Sequence, residues 1–206
     1  MKLQTYLAEI GRFLKPHRTI PKTPWTATSR WSVNLKNLPI LFFGLAIFGI
    51  GDALLIQSTI GNSPWSVFAQ GLSLRTPLSV GEATAITSIA VLLLWIPLKE
   101  RPGFGTLANI ALIAVFIQVG VDHIPKIEMN ILLQILYVLI GIGLVGMGSA
   151  LYITCGLGPG PRDGLMTSIH NKTGIRIARV RLSIEVTILI IGALLGGSVG
   201  IGTAMF

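Results

Sequence analysis

Two carboxylates stand inside apolar sequence. Asp52 lies in GLAIFGIGDALLIQ and Glu185 in RLSIEVTILIIG, among side chains of the kind that face lipid. An ionisable group at membrane depth is costly and turns towards a bundle interior or a water-filled cavity. There it serves as an ion- or proton-coupling group, or it pairs with a cation to hold helices together. Asp52 reads as the first kind. For Glu185 the second is favoured, because Arg181 lies one helical turn away. A further concentration of chemistry is GLGPGPRDGLM, residues 156–166, where glycine and proline alternate before Arg162 and Asp163. These two are expected to neutralise or position each other at a helix start, where the acid suits the helix dipole and the base does not. Arg162 facing an anion is the alternative.

The glycine-rich string is not a nucleotide loop. Such a loop ends in Gly-Lys-Ser/Thr after a strand, and neither is present. Pro159 and Pro161 also remove two N–H donors that a phosphate cradle would use. His17, His123 and His170 have no metal-ligand spacing, and the only cysteine is Cys155. The chain therefore reads as a non-enzyme with no cofactor and no metal site.

The elements that must position these residues are membrane helices. Of 206 residues, 51% are hydrophobic and 12% charged; soluble domains carry about 25% charged residues. The mean hydropathy is +0.74. Apolar blocks at roughly 38–60, 78–97, 105–121, 131–154 and 177–195 approach the roughly 20 residues that cross a hydrocarbon core. The net charge of +8 is unevenly placed. Lys2, Arg12, Lys15, Arg18, Lys22, Arg30, Lys36, Lys99, Arg101, Arg162, Lys172, Arg176, Arg179 and Arg181 fall on one side of this topology, and only Arg75 and Lys126 on the other. The bias puts the N-terminus in the cytoplasm and excludes a nucleic-acid partner, for which a folded basic face would be needed.

Residues 44–109 align without a gap on 141–206, at a constant offset of 97, with 14 identities in 66 pairs, six of them glycine. Three spans is an odd number, so the second copy starts from the opposite side, an inverted plan common in transporters and channels. Under this offset Asp52 falls on Ser149 and Glu185 on Ser88. The second copy stops a few residues into its third span and is expected to be truncated.

The opening string falls on TIGNSPWSVFA, residues 59–69. Ser63 then caps a short helix that starts at Pro64, and Gly160 and Pro161 take the same places in the second copy. Apolar stripes follow, Trp65, Phe68, Ala69 and Leu72 in one copy and Leu165, Met166 and Ile169 in the other. Such helices are too short to span, and they are either interfacial connectors or re-entrant half-helices. In the re-entrant case their broken backbone offers free N–H groups and carbonyls. The tentative solute-binding set is Gly61, Ser63, Pro64, Trp65, Gly158, Gly160, Pro161, Arg162 and Asp163, with Asp52 and Glu185 as coupling groups. Gln57, Asn109 and Gln118 read as interhelical hydrogen-bonding groups, and Gly192, Gly196 and Gly200 as a small-residue contact series.

The string at 156–166, the downstream Thr173-Gly174 and the early GNSPW resemble the YczE-type bacterial integral membrane proteins, related to the wider YitT group. The resemblance spans roughly residues 38–206. It implies a bacterial multi-span protein whose chain continues beyond the point matching Phe206, and it implies no particular substrate.

Taken together, an all-α membrane protein is expected, with two inverted three-helix repeats, the second truncated. It has about five transmembrane helices and two short interfacial or re-entrant ones. A basic amphipathic tail, 1–37, precedes a first membrane repeat, 38–130, and an incomplete second, 131–206. The tail's helix over residues 2–15 would lie on anionic inner-leaflet lipids of the bacterial cytoplasmic membrane, and a homo-oligomer is allowed. The expected function is a small-solute or ion transporter or channel with its site between the repeats. The alternative is a non-transporting scaffold or regulator that binds a cytoplasmic partner.

Overall fold

The computed structural model describes residues 20–206, and the expected helix over 2–15 lies outside them. Among the described residues all regular structure is helical. Helix α1 (Asn37–Gln57) is followed by the short α2 (Pro64–Arg75), α3 (Val80–Leu93), the single turn α4 (Trp95–Leu98) and α5 (Phe104–His123). Then come α6 (Ile131–Thr154), the short α7 (Pro161–Thr173), α8 (Ile177–Leu194) and the stub α9 (Ile201–Met205).

Four stretches are long and apolar enough to cross a membrane: Asn37–Gln57, Val80–Leu98, Phe104–His123 and Ile131–Thr154. The fifth expected span is α8, whose 18 residues include Arg179, Arg181 and Glu185. That charge keeps it out of the purely apolar class. It runs from Arg176 at one end of the bundle to Leu195 at the other, where the Leu195 carbonyl accepts from Arg75 Nε at 3.0 Å.

The centre of the bundle is the antiparallel pair α1 and α6. Gly44 lies against Gly148 and Gly51 against Gly141, so the two backbones touch. A Cβ on Gly148 would come within 2.5 Å of the Gly44 carbonyl oxygen. Small residues allow this approach, and dispersion along the seam replaces the hydrophobic drive that lipid removes. Helix α5 packs parallel to α1, with Gly49 against Ile113–Ile117 and Gly120 against Ala53. Gln57 Nε2 donates to the carbonyls of Val121 and Ile124, and Gln118 Oε1 accepts from the Gly81 N–H. Both glutamines thus join helices as expected.

The contact series Gly192, Gly196 and Gly200 does not form one helical stripe. Gly196 has φ +103°, which ends α8, so only Gly192 continues a helix face, against Phe68. Gly200 lies beyond the break and packs on Ile60.

A polar latch closes the end of the bundle that carries residues 20–36. The Arg30 guanidinium donates to Glu100 Oε1 at 2.6 Å and also to the Arg101 carbonyl, while Ser168 Oγ donates to Glu100 Oε2 at 3.2 Å. The latch joins the segment before α1, the α4–α5 connection and α7. The Arg30 hydrogen bond holds the Glu100 carboxyl below its usual range, with partial burial opposing it. A depressed native value means that the stabilisation is complete above the ordinary glutamate value of about 4.3 and is lost as pH falls through the lower native one. The thermal stability gap between the natural chain and Glu100→Gln is therefore expected at neutral pH and closes below about pH 4. A gap that persists in acid would contradict the latch.

Candidate functional site

Each short helix starts inside the bundle. Ser63 caps α2, its Oγ accepting from the Ser66 N–H at 3.4 Å, and Pro64 occupies the first helical position. The same Oγ lies 3.3 Å from Asp52 Oδ1 and 2.9 Å from Ser66 Oγ, so the α2 start sits more than a turn below the end of α1. Helix α7 starts at Gly160 and Pro161, where no side chain caps it. Three carbonyls of the preceding string are already used. Leu157 accepts from the Gly105 N–H at 2.8 Å, Pro159 from Thr106 Oγ1 at 2.8 Å and Pro161 from Trp95 Nε1 at 3.0 Å. These carbonyls are spent on holding the string.

The two starts meet. Trp65 on α2 and Arg162 on α7 stack, the guanidinium carbon 4.8 Å from the ring centroid. Around them lies a cavity of ≈ 210 Å³, which corresponds to the bulk volume of about seven waters. Helix α1 contributes Asp52, α2 Ser63 and Trp65, α3 Ser88, and α5 Asn109. Helix α6 adds Ser149 and Tyr152, α7 Arg162 and Asp163, and α8 Arg181 and Glu185. One core patch serves both short helices: Trp65 packs with Leu165 and Met166, together with Val91, Trp95 and Val180.

Of the tentative binding set, Ser63, Trp65, Gly160, Arg162 and Asp163 line this cavity, and so do Asp52 and Glu185. Gly61, Pro64, Gly158 and Pro161 do not line it and instead shape the backbone. Gly61 has φ +120° and packs on Gly200 and Thr203, whereas Gly158 has φ +110° and packs on Gly103 and Thr106. A side chain at either position would meet both strain and backbone. Asn109 faces the cavity beside Gly160 rather than serving only between helices.

Among the described residues Arg162 and Asp163 form no direct ion pair, although each lies within electrostatic range of the other. Neighbours on a helix diverge by about 100°, so Asp163 accepts the Tyr152 hydroxyl while Arg162 turns onto Trp65. Glu185 does pair with Arg181, Nε to Oε1 at 2.8 Å, as favoured from the sequence. Two cations counted on the basic side, Arg162 and Arg181, also line the cavity, and the Arg181 side chain remains 63% exposed.

Three positioning residues were not visible beforehand. Trp95 fixes the α7 start through Pro161 and lies against Gly164, Tyr152 fixes Asp163, and Thr106 fixes Pro159. The only hint for Trp95 was an indole near the end of an apolar block, which ordinarily signals an interface anchor.

The model of a protein family of unknown function, DUF6198, matches residues 35–206. The chain belongs to this family. It is 45% identical over 192 residues to an uncharacterized protein of Haemophilus influenzae, covering 93% of this chain and 88% of that one. It is 35% identical over 178 residues to the uncharacterized membrane protein YczE of Bacillus subtilis, covering 85% and 79%. With the uncharacterized protein YyaS of the same bacterium it shares 30% over 170 residues, covering 79% and 82%. No solved structure matches. The family match bears out the YczE-type resemblance, and the cavity described above lies within the matched region. This DUF6198 chain is a membrane protein with several helices able to span.

Proposed function

We propose that this DUF6198 protein is an inverted-repeat transporter that binds a small solute in the cavity between α2 and α7. One observation carries the reading: six pairs of cavity-lining residues are related across the two halves of the chain. Phe48 and Val145, Asp52 and Ser149, Ser63 and Gly160, Trp65 and Arg162, Ser88 and Glu185, and Asn109 and Phe206 all line it, each pair 97 positions apart. The stacked Trp65 and Arg162 are therefore equivalent residues, each the second of its half-helix, meeting on the pseudo-two-fold axis.

The wider fold supports the same duplication. Helices start at 64, 80 and 104 and again at 161, 177 and 201. The contacts Gly44–Gly148 and Gly51–Gly141 exchange under the offset, and so do the Gly105 N–H to Leu157 carbonyl and Gly202 N–H to Ile60 carbonyl bonds. Left-handed backbone recurs at Thr59 and Gly156, Gly61 and Gly158, Lys99 and Gly196. A site on such an axis can be exposed alternately by rocking one repeat against the other. Under this reading α8 crosses the bilayer as a fifth span, and the basic end of the bundle faces the cytoplasm. The bilayer is the inner membrane of a bacterium.

The test is thiol accessibility. With Cys155→Ser removing the natural thiol, Ser149→Cys is exposed to a membrane-impermeant maleimide in right-side-out and in inside-out vesicles. A transporter is expected to be modified from both faces. Modification from one face alone, or from neither, would overturn the reading in favour of a scaffold.

A further inference from the structure

The lining of this cavity holds two groups of opposite charge with open hydrogen-bonding capacity. Asp52 is 1% exposed, and its Oδ2 has no hydrogen-bond partner among the described residues. Among the described residues Arg162 forms neither an ion pair nor a hydrogen bond; its guanidinium carbon lies 4.8 Å from the centroid of the Trp65 ring. A cation–π contact consumes no guanidinium N–H in a conventional hydrogen bond, so the fork remains able to take a planar, two-oxygen acceptor. The other charged lining groups are engaged, Glu185 with Arg181 and Asp163 with the Tyr152 hydroxyl.

The two halves differ at one informative place. Helix α2 has its start closed by the Ser63 hydroxyl, whereas α7 has Gly160 at the equivalent position and no side-chain cap. The uncapped N–H groups and the positive end of the α7 dipole suit an anionic oxygen, as at other helix N-termini. The buried Trp65 Nε1 is a further donor without an acceptor among the described residues. A purely anionic ligand would satisfy Arg162 and leave the Asp52 oxygen unmatched; a purely cationic one would do the reverse.

Resting on the transporter reading, we propose that the solute is a small zwitterion, a compact amino acid carrying one carboxylate and one protonated amine. Its carboxylate sits on the Arg162 edge and the open α7 start, where it supplies the cap that Ser63 supplies to α2. Its ammonium donates to Asp52 Oδ2. The cavity of ≈ 210 Å³ suits a molecule whose remainder is a small side chain.

The test uses the full chain with Cys155→Ser and Ser149→Cys, and reads the rate of maleimide modification. L-alanine and L-serine are expected to slow it saturably, while acetate and methylammonium at equal concentration do not. Arg162→Gln and Asp52→Asn, each checked for retained labelling from both faces, are expected to raise the half-protecting concentration by about tenfold or more, as loss of a charge-assisted hydrogen bond implies. Equal protection by acetate would make this an anion site, equal protection by methylammonium a cation site, and either overturns the proposal. So does the absence of protection by both amino acids, or protection that survives both substitutions. None of these outcomes alters two-face labelling of Ser149→Cys, so the transporter reading is judged separately.

Discussion

Replacing Gly148 with leucine is expected to destabilise the bundle by about 3 kcal/mol, the upper part of the range for overpacked interiors. A Cβ there meets the Gly44 carbonyl oxygen at 2.5 Å and the Phe48 Cβ and backbone nitrogen at 2.9 Å. Two of these three atoms are backbone of α1 and the third is fixed to it, so α1 and α6 must separate for any side chain to fit. Their separation also opens the cavity, because Phe48 and Asp52 lie on α1 and Ser149 and Tyr152 on α6. Gly143 provides the control within the same helix, since a Cβ there meets nothing within 4 Å. Thermal unfolding of the purified chain should show a large loss for Gly148→Leu and almost none for Gly143→Leu. Equal losses would mean that glycine content, not the seam, governs stability.

Much of the positioning could be read in advance because it depends on local backbone chemistry. Ser63-Pro64 and Gly160-Pro161 are helix starts for reasons contained in those residues: a hydroxyl or a bare α-carbon that leaves the cap open, then a ring that fixes φ and lacks an N–H. The 97-residue offset carried those starts from one half of the chain to the other. Glu185 and Arg181 paired as helical spacing dictates. What the sequence hid was long-range. Nothing around Trp95 indicates that its N–H reaches Pro161, 66 positions away, nor does Tyr152 advertise its partner Asp163. For Arg162, adjacency along the chain suggested a direct pair with Asp163, and helical geometry instead gives the two side chains separate contacts. Its stacking partner lies in the other half of the chain at the equivalent position, a relation that the offset contained but that pairwise charge reasoning passed over. Hydropathy, finally, places α8 ambiguously. Arg181 and Glu185 on it line the cavity, and a helix that builds a polar site is bound to score as less apolar than one that faces lipid alone.

The account requires that the two interrupted helices meet inside one chain, at Trp65 and Arg162. A contact of 4.8 Å between guanidinium and ring puts thiols at these positions within reach of a short bifunctional maleimide. With Cys155→Ser, the double variant Trp65→Cys, Arg162→Cys is treated with the cross-linker in membranes. The chain is then cut at a protease site engineered in the connection at 124–130, and the fragments are separated under denaturing conditions. Trp25→Cys with Thr154→Cys, whose natural side chains are hydrogen-bonded at 3.1 Å, shows that a close pair spanning the cut is captured. The expected result is that the two halves stay joined for both pairs. Halves that separate for 65 and 162 while remaining joined for 25 and 154 would contradict the shared cavity, and with it the solute site.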